Sequence, residues 1–185
     1  MVLIELGNAG PEPVALAEAK TWCRIERDDE DVLIAALIGA ARETVERETG
    51  LALRRRDLRI AIGDLPPDGR VALPRRPVAT VLGLTAYGAD GLPRAFAAAN
   101  AVLERFGAGE TVRLTEIVLA AANGLEIDVT AGFAPADVPE ALKLAIKRMV
   151  AVSYETRAAL APEMQPALIP PAARAAIAAF REVRL

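Results

Sequence analysis

From Val32 to Thr49 the apolar positions recur at a helical period. Leu33, Leu37, Ala40 and Thr44 form one row, Ile34, Ile38, Ala41 and Val45 the next, and together they cover nearly half a helix circumference. Arg42, Glu43, Glu46 and Arg47 take the other side, with Arg42–Glu46 and Glu43–Arg47 spaced i,i+4. The acidic run Asp28-Asp29-Glu30-Asp31 opens this stretch, where carboxylates complement a helix dipole and cap free N–H groups, and Gly50 stands where a left-handed closing residue is wanted. The pattern therefore predicts a helix with both ends marked. An apolar arc this wide fits burial from two directions, against the chain's own core and against a neighbouring subunit; an ordinary central helix of a monomer fits it equally well.

A second helical stripe runs through Leu142, Ala145, Ile146, Met149, Val150, Val152 and Ser153 to about Arg157, predicted to pack on the first. It starts at Asp137-Val138-Pro139-Glu140, the spacing of a capping box with Asp137 as N-cap. Val14 to Ile25 reads as a shorter helix with a weak cap, because Ala15 stands where a hydroxyl would pair with Glu18. Residues 1–13, with Gly7, Gly10, Pro11 and Pro13, read as an irregular arm.

Between the long helical stretches the period changes. From Leu58 to Phe133 short β-branched pieces alternate with turn signals: Leu58 to Ile62, Val71 to Leu73 and Val78 to Tyr87, with Pro74-Arg75-Arg76-Pro77 marking an edge or a crossing. Gly88-Ala89-Asp90-Gly91 predicts a turn. Asn123-Gly124 predicts a hairpin joining Ile117 to Ala121 with Leu125 to Ala131, whose second arm alternates cleanly. Over Ala95 to Ala101 a helical turn competes with strand. Pro162, Pro166, Pro170 and Pro171 break the tail ahead of a short helix over Ala172 to Val183.

These elements give an α+β class, a helical body carrying an inserted antiparallel β module. The 185 residues suffice for one domain with such an insertion, and with 4% aromatics the packing falls to Ala, Leu, Val and Ile. No apolar run reaches the length of a membrane span, and the first residues lack the form of a signal peptide, so a soluble, intracellularly made protein is expected. A net charge of −3 argues against a general nucleic-acid coat.

The inventory excludes much chemistry. Histidine is absent, Ser153 is the sole serine and Cys23 the sole cysteine, which removes Ser-His and Cys-His nucleophiles, His-bearing zinc sites and an intrachain disulfide. The cluster Asp28 to Asp31 lacks the alternation of a calcium loop and reads as a helix start. Arg54-Arg55-Arg56 and Arg75-Arg76 read first as a solvated basic patch, with phosphate or an acidic protein surface as the functional alternative. Cys23 reads as a small buried side chain. No catalytic residue, cofactor or metal is assigned.

Several segments in order resemble the phage head–tail connector (adaptor) family, gp6-like and phiE125 gp8-like, also found in gene transfer agents. They are Pro13 to Lys20 with Arg24-Ile25, Asp28 to Asp31 with Glu46 to Gly50, Leu73 to Val78, Val129 to Phe133, Asp137 to Leu142, Ser153 to Arg157, and Ile169-Pro170-Pro171 through Phe180-Arg181 to Arg184-Leu185. Ala15 and the Ala-rich 95–101 stretch depart from the family pattern.

The resemblance implies one adaptor domain over 1–185: helical body 14–53 and 137–160, β insertion 57–133, and a portal-docking tail 162–185. It implies a ring of about twelve copies between portal and stopper or tail in the neck of a phage-like particle made in a bacterial cytoplasm, giving DNA a passage. It assigns Leu33, Leu37, Ile38, Val45, Arg54 and Arg55 to subunit contacts, and Ile177, Phe180, Arg181, Arg184 and Leu185 to the portal. Two rivals are a stopper or tail-completion protein, and a nucleic-acid-binding regulator using the arginine run. An enzyme working through carboxylates alone is a third, with no pair of carboxylates singled out by sequence.

Overall fold

The computed structural model describes residues 1–7, 9–106, 109–121, 123–156 and 169–181. The chain divides into two compact units, Met1–Gly10 with Arg54–Phe133, and Pro11–Leu53 with Ala134–Leu185.

Among the described residues, the eight strands all lie in the first unit. β1 (Val2–Gly7), β2 (Arg56–Ile62), β4 (Val78–Tyr87), β5 (Pro93–Phe96) and β8 (Leu125–Ala131) form an antiparallel sheet in the order β1-β2-β8-β4-β5. β3 (Arg70–Ala72), β6 (Ala101–Phe106) and β7 (Gly109–Leu114) form a second, in the order β3-β7-β6. Alternation sets the register at the centre of the larger sheet. Leu58 faces Val129 and Ile60 faces Ile127, all buried, while Arg59 faces Asp128 on the other side, where Nε and Nη2 meet its two carboxylate oxygens at 2.7 and 2.8 Å.

Pro74-Arg75-Arg76-Pro77 is the crossing between the sheets, with a cis bond at Arg76–Pro77. Glu110 fixes its exit: the carboxylate accepts the Val78 N–H at 2.6 Å, and the Glu110 carbonyl accepts the Leu73 N–H at 2.9 Å.

Two sequence expectations fail in this unit, and one left open is resolved. Residues 1–13 are not all irregular, because Val2–Gly7 pairs along β2. Ile117 to Ala121 is not a hairpin arm; Glu116–Ala121 is helix α3, and Val118 lies buried. The stretch 95–101 divides, Pro93–Phe96 as strand and Ala98–Asn100 as a 3₁₀ turn.

The second unit is helical: α1 (Leu16–Cys23), α2 (Asp31–Thr49), α4 (Glu140–Thr156) and α5 (Pro171–Ala178). α2 packs on α4, as the stripes predict, and α4 packs on α5. Gly50 closes α2 at φ 71°, and its N–H returns to the Glu46 carbonyl at 2.9 Å. Burial of Ile34, Ile38, Ala41 and Val45 against Leu142, Ala145, Ile146 and Met149 makes the core. Each large member contributes about 1.5–3 kcal/mol by leaving water.

The helix starts depart from expectation. No acidic side chain caps α2; the Asp31 N–H goes to the Asp28 carbonyl, and the carboxylates of Asp28 and Asp31 instead hold Lys20 Nζ at 2.5 and 2.6 Å. Asp137 lies in a 3₁₀ turn ahead of α4, and Glu140 pairs with Lys143 at 2.8 Å rather than reaching back. α1 has no side-chain cap at Ala15, as its sequence predicts.

The polar side of α2 is not solvated throughout. Arg42 and Glu46 are 7% and 3% exposed, paired at 2.9 Å, while Glu43 meets Arg42 at 3.2 Å. The pair is buried because Glu12 reaches Arg42 Nε from the preceding segment at 2.9 Å, and because Glu46 serves the following one through Leu53.

Candidate functional site

The two apolar rows of α2 have different fates. The row of Ile34, Ile38, Ala41 and Val45 is spent on the core. In the row of Leu33, Leu37, Ala40 and Thr44, Leu33 and Leu37 remain half-buried and Ala40 exposed, and beside them Val32 is 87% exposed. Of the helix residues expected at a subunit contact, Leu33 and Leu37 are thus accessible. Ile38 and Val45, at 2% and 0% exposure, are corrected to core residues.

The arginine run divides too. Arg55 is exposed, Arg54 half-buried, and Arg56 buried at the start of β2. Glu5 of β1 receives Arg54 Nη2 at 3.7 Å and Arg56 Nε at 3.4 Å. The run is therefore no uniform solvated patch, because strand alternation turns Arg56 inward.

At the other end of the chain, α5 uses Ala173 and Ile177 to pack on its own unit. Ile177 is 1% exposed, which removes it from the surface offered to a partner. Phe180 is half-buried; Arg181 is exposed and pairs with Glu48. Arg184 and Leu185 lie outside the described residues.

A polar cluster fixes the α1–α2 turn. Glu30 accepts from Arg27 and from the Tyr154 hydroxyl, joining the turn to α4, while Lys20 holds Asp28 and Asp31. This accounts for the acidic run as an ion-paired turn. Among the described residues no group of three or more His, Cys, Asp or Glu is arranged to hold a metal ion. Cys23 is half-buried rather than fully buried, and burial, aided by the Glu155 charge, pushes its thiol up, away from the nucleophilic thiolate.

Exposed apolar groups are the other prominent surface feature. Trp22 is 46% exposed, with Lys147 Nζ 5.7 Å from its ring centre, over an open cavity of about 510 Å³ that Ala17, Glu18 and Thr21 complete. Val2, Ile4 and Leu6 stand exposed on β1. Sequence reading missed this last group, although the alternation of Val2, Ile4 and Leu6 is present in the sequence as a strand signal. No helix among the described residues is long and apolar enough to cross a membrane.

Residues 13–89 match the model of the phage gp6-like head–tail connector family. Three solved structures resemble the chain over its whole length. A chain in the virion of the native gene transfer agent particle is 28% identical, with a TM-score of 0.82, covering 100% of this chain and 97% of that one. Chains from the neck of the empty particle, computed with C6 symmetry, and from the neck of the native particle, computed with C12 symmetry, are each 27% identical. Both have a TM-score of 0.80 and the same coverage. No curated protein matches.

Proposed function

We infer that this chain is a head–tail connector, an adaptor that forms a ring in the neck of a phage-like particle. One observation carries the reading: the likeness to a gene transfer agent virion chain extends over 100% of this chain and 97% of that one, and the family match falls within it. The helical body framed by α2 and α4 keeps its outer row of Leu33 and Leu37, with Arg54 and Arg55, for neighbouring copies; their accessibility supports this. Twelve copies suit the C12 symmetry of one matched neck.

The ring stands between portal and stopper or tail. Its contact with the portal runs through the chain's end, Phe180, Arg181, Arg184 and Leu185, with Ile177 holding α5 to the body instead of touching the portal. Exposure of Arg181 supports that role, and a net charge of −3 suits a passage along which DNA slides without being held. Catalysis has no place in this reading, since the ring works through its contacts.

Electron microscopy of purified particles with this chain located in them tests the reading. The expected result is a ring of this chain between head and tail, and separated heads and tails when the gene is deleted. Particles that join and deliver genomes without the chain overturn it. Truncation after Pro170 is expected to abolish copurification with the portal; copurification with tail components alone would point to a stopper.

A further inference from the structure

Val2 and Ile4 alternate along β1 at 59% and 44% exposure, opposite Ala61 and Arg59, and Leu6, 45% exposed, lies at the register shift between Glu5 and Gly7. β1 lies at the end of its sheet and pairs with β2 alone, so its outer edge faces no strand among the described residues. Backbone N–H and C=O groups along such an edge are a template for another chain, and natural edges are commonly guarded by charge or proline. β1 contains neither lysine nor proline; its guards are a register shift between Glu5 and Gly7 and the charge of Glu5, which alternates to the other face, toward Arg54 and Arg56, so Val2 to Ile4 is the open part of the edge.

The rest of the sheet's outward face is different. There Arg59 binds Asp128 and, at 3.1 Å, Glu126, and Thr130 donates to Asp57 at 2.6 Å. That part of the sheet is fitted to water, and apart from β1 the larger sheet's exposed large apolar side chain is Leu82 of β4 at 49%. Where β1 begins, Met1 and Val2 join Ile62, Tyr87 and Leu125 around a cavity of about 270 Å³ with Glu126 at its rim. An apolar edge beside a cavity is the form of an interaction hot spot.

We propose that β1 is one half of the seam between neighbouring copies of this chain, its open edge and Val2, Ile4 and Leu6 covered by a second copy. The inference rests on the ring reading. Copies related by rotation, as in necks of C6 or C12 symmetry, meet head to tail, so each must present two unlike surfaces. The accessible row of α2 is one such surface, and the β1 edge supplies the unlike one. Ring closure then covers the β1 edge of every copy, which keeps it from propagating into fibres.

A photoreactive benzoylphenylalanine at position 4 in assembled particles tests the seam, with the same probe at position 37 in a parallel preparation. The expected product from position 4 is a band at twice the chain's mass containing peptides of this chain only. Ile4→Glu is expected to cut ring incorporation at least tenfold while the purified chain keeps its circular dichroism spectrum. Capture of a different protein at position 4, or no capture there while position 37 yields the self-linked dimer, overturns the seam and leaves the ring standing. Absence of the chain from particles sinks the ring reading itself.

Discussion

Glu46 serves two groups at once: one carboxylate oxygen takes Arg42 Nη1 at 2.9 Å and the other accepts the Leu53 N–H at 2.7 Å. Burial alone would lower the Arg42 guanidinium, but the charges of Glu46, Glu12 and Glu43 outweigh it and raise it above its ordinary value. Removing one member of such a pair strands a buried charge. Glu46→Ala is expected to lower the unfolding free energy by about 3–5 kcal/mol in urea titrations, and Glu46→Gln by less, because its amide oxygen still accepts the Leu53 N–H. The double replacement Arg42→Met with Glu46→Gln is expected to recover most of the loss, since no buried charge is left unpaired and the amide oxygen still accepts the Leu53 N–H.

The two rows of α2 predict opposite phenotypes from neighbouring positions. Ile38→Ala opens the core and is expected to cost about 2–5 kcal/mol in the isolated chain. Leu37→Lys, on the half-exposed row, is expected to change the isolated chain's stability by no more than about 0.5 kcal/mol yet to exclude it from rings. Urea unfolding paired with particle incorporation measures both. A Leu37→Lys chain that enters particles at the wild-type level refutes the contact.

Local signals were legible where a single element carried them. Gly50 ended α2, the spacing of Leu142 to Val150 traced α4, and the alternation from Leu125 to Ala131 traced β8. Long-range pairing was not legible. Val2 to Leu6 carries a strand pattern, but its partner β2 begins 50 residues later, and the nearby Gly7, Gly10 and Pro11 dominate any local reading. Glu116 to Ala121 is six residues long, too short for periodicity to separate helix from strand. The charges of Arg42 and Glu46 looked solvated because i,i+4 spacing says nothing of Glu12 or Leu53, the groups that bury them. The surface residues divide on the same ground: sequence placed Leu33 and Ile38 on one apolar arc, and only packing shows which row is left uncovered.

Acid weakens one cross-strand contact in a defined direction. Hydrogen bonds from Arg113 at 2.7 Å and Arg70 at 3.1 Å hold the Glu104 carboxyl below its ordinary value of 4.5. A carboxyl depressed in the folded state adds stability that is present above the unfolded value and fades as pH falls through the folded one. The stability difference between wild type and Glu104→Gln is therefore expected to be present at neutral pH and to vanish on acidification below the ordinary glutamate range. Carboxyl NMR titration of Glu104 gives the folded value directly. A midpoint at or above 4.5 contradicts the contact.

Two glycines separate conformational need from mere vacancy. Gly132 adopts φ 112°, its N–H donates to the Pro77 carbonyl at 2.8 Å, and a Cβ there would collide with the Arg54 carbonyl and come within 2.8 Å of the Arg55 Cα. Both the backbone and the space forbid a side chain, so Gly132→Ala is expected to cost about 2 kcal/mol or more. Gly39 lies in the middle of α2 with nothing within 4 Å of an added Cβ. There alanine removes unfolded-state freedom without strain, and Gly39→Ala is expected to stabilise the chain by about 0.5–1 kcal/mol. Thermal unfolding of the two variants side by side should therefore show shifts of opposite sign. A destabilised Gly39→Ala contradicts the open space at this position.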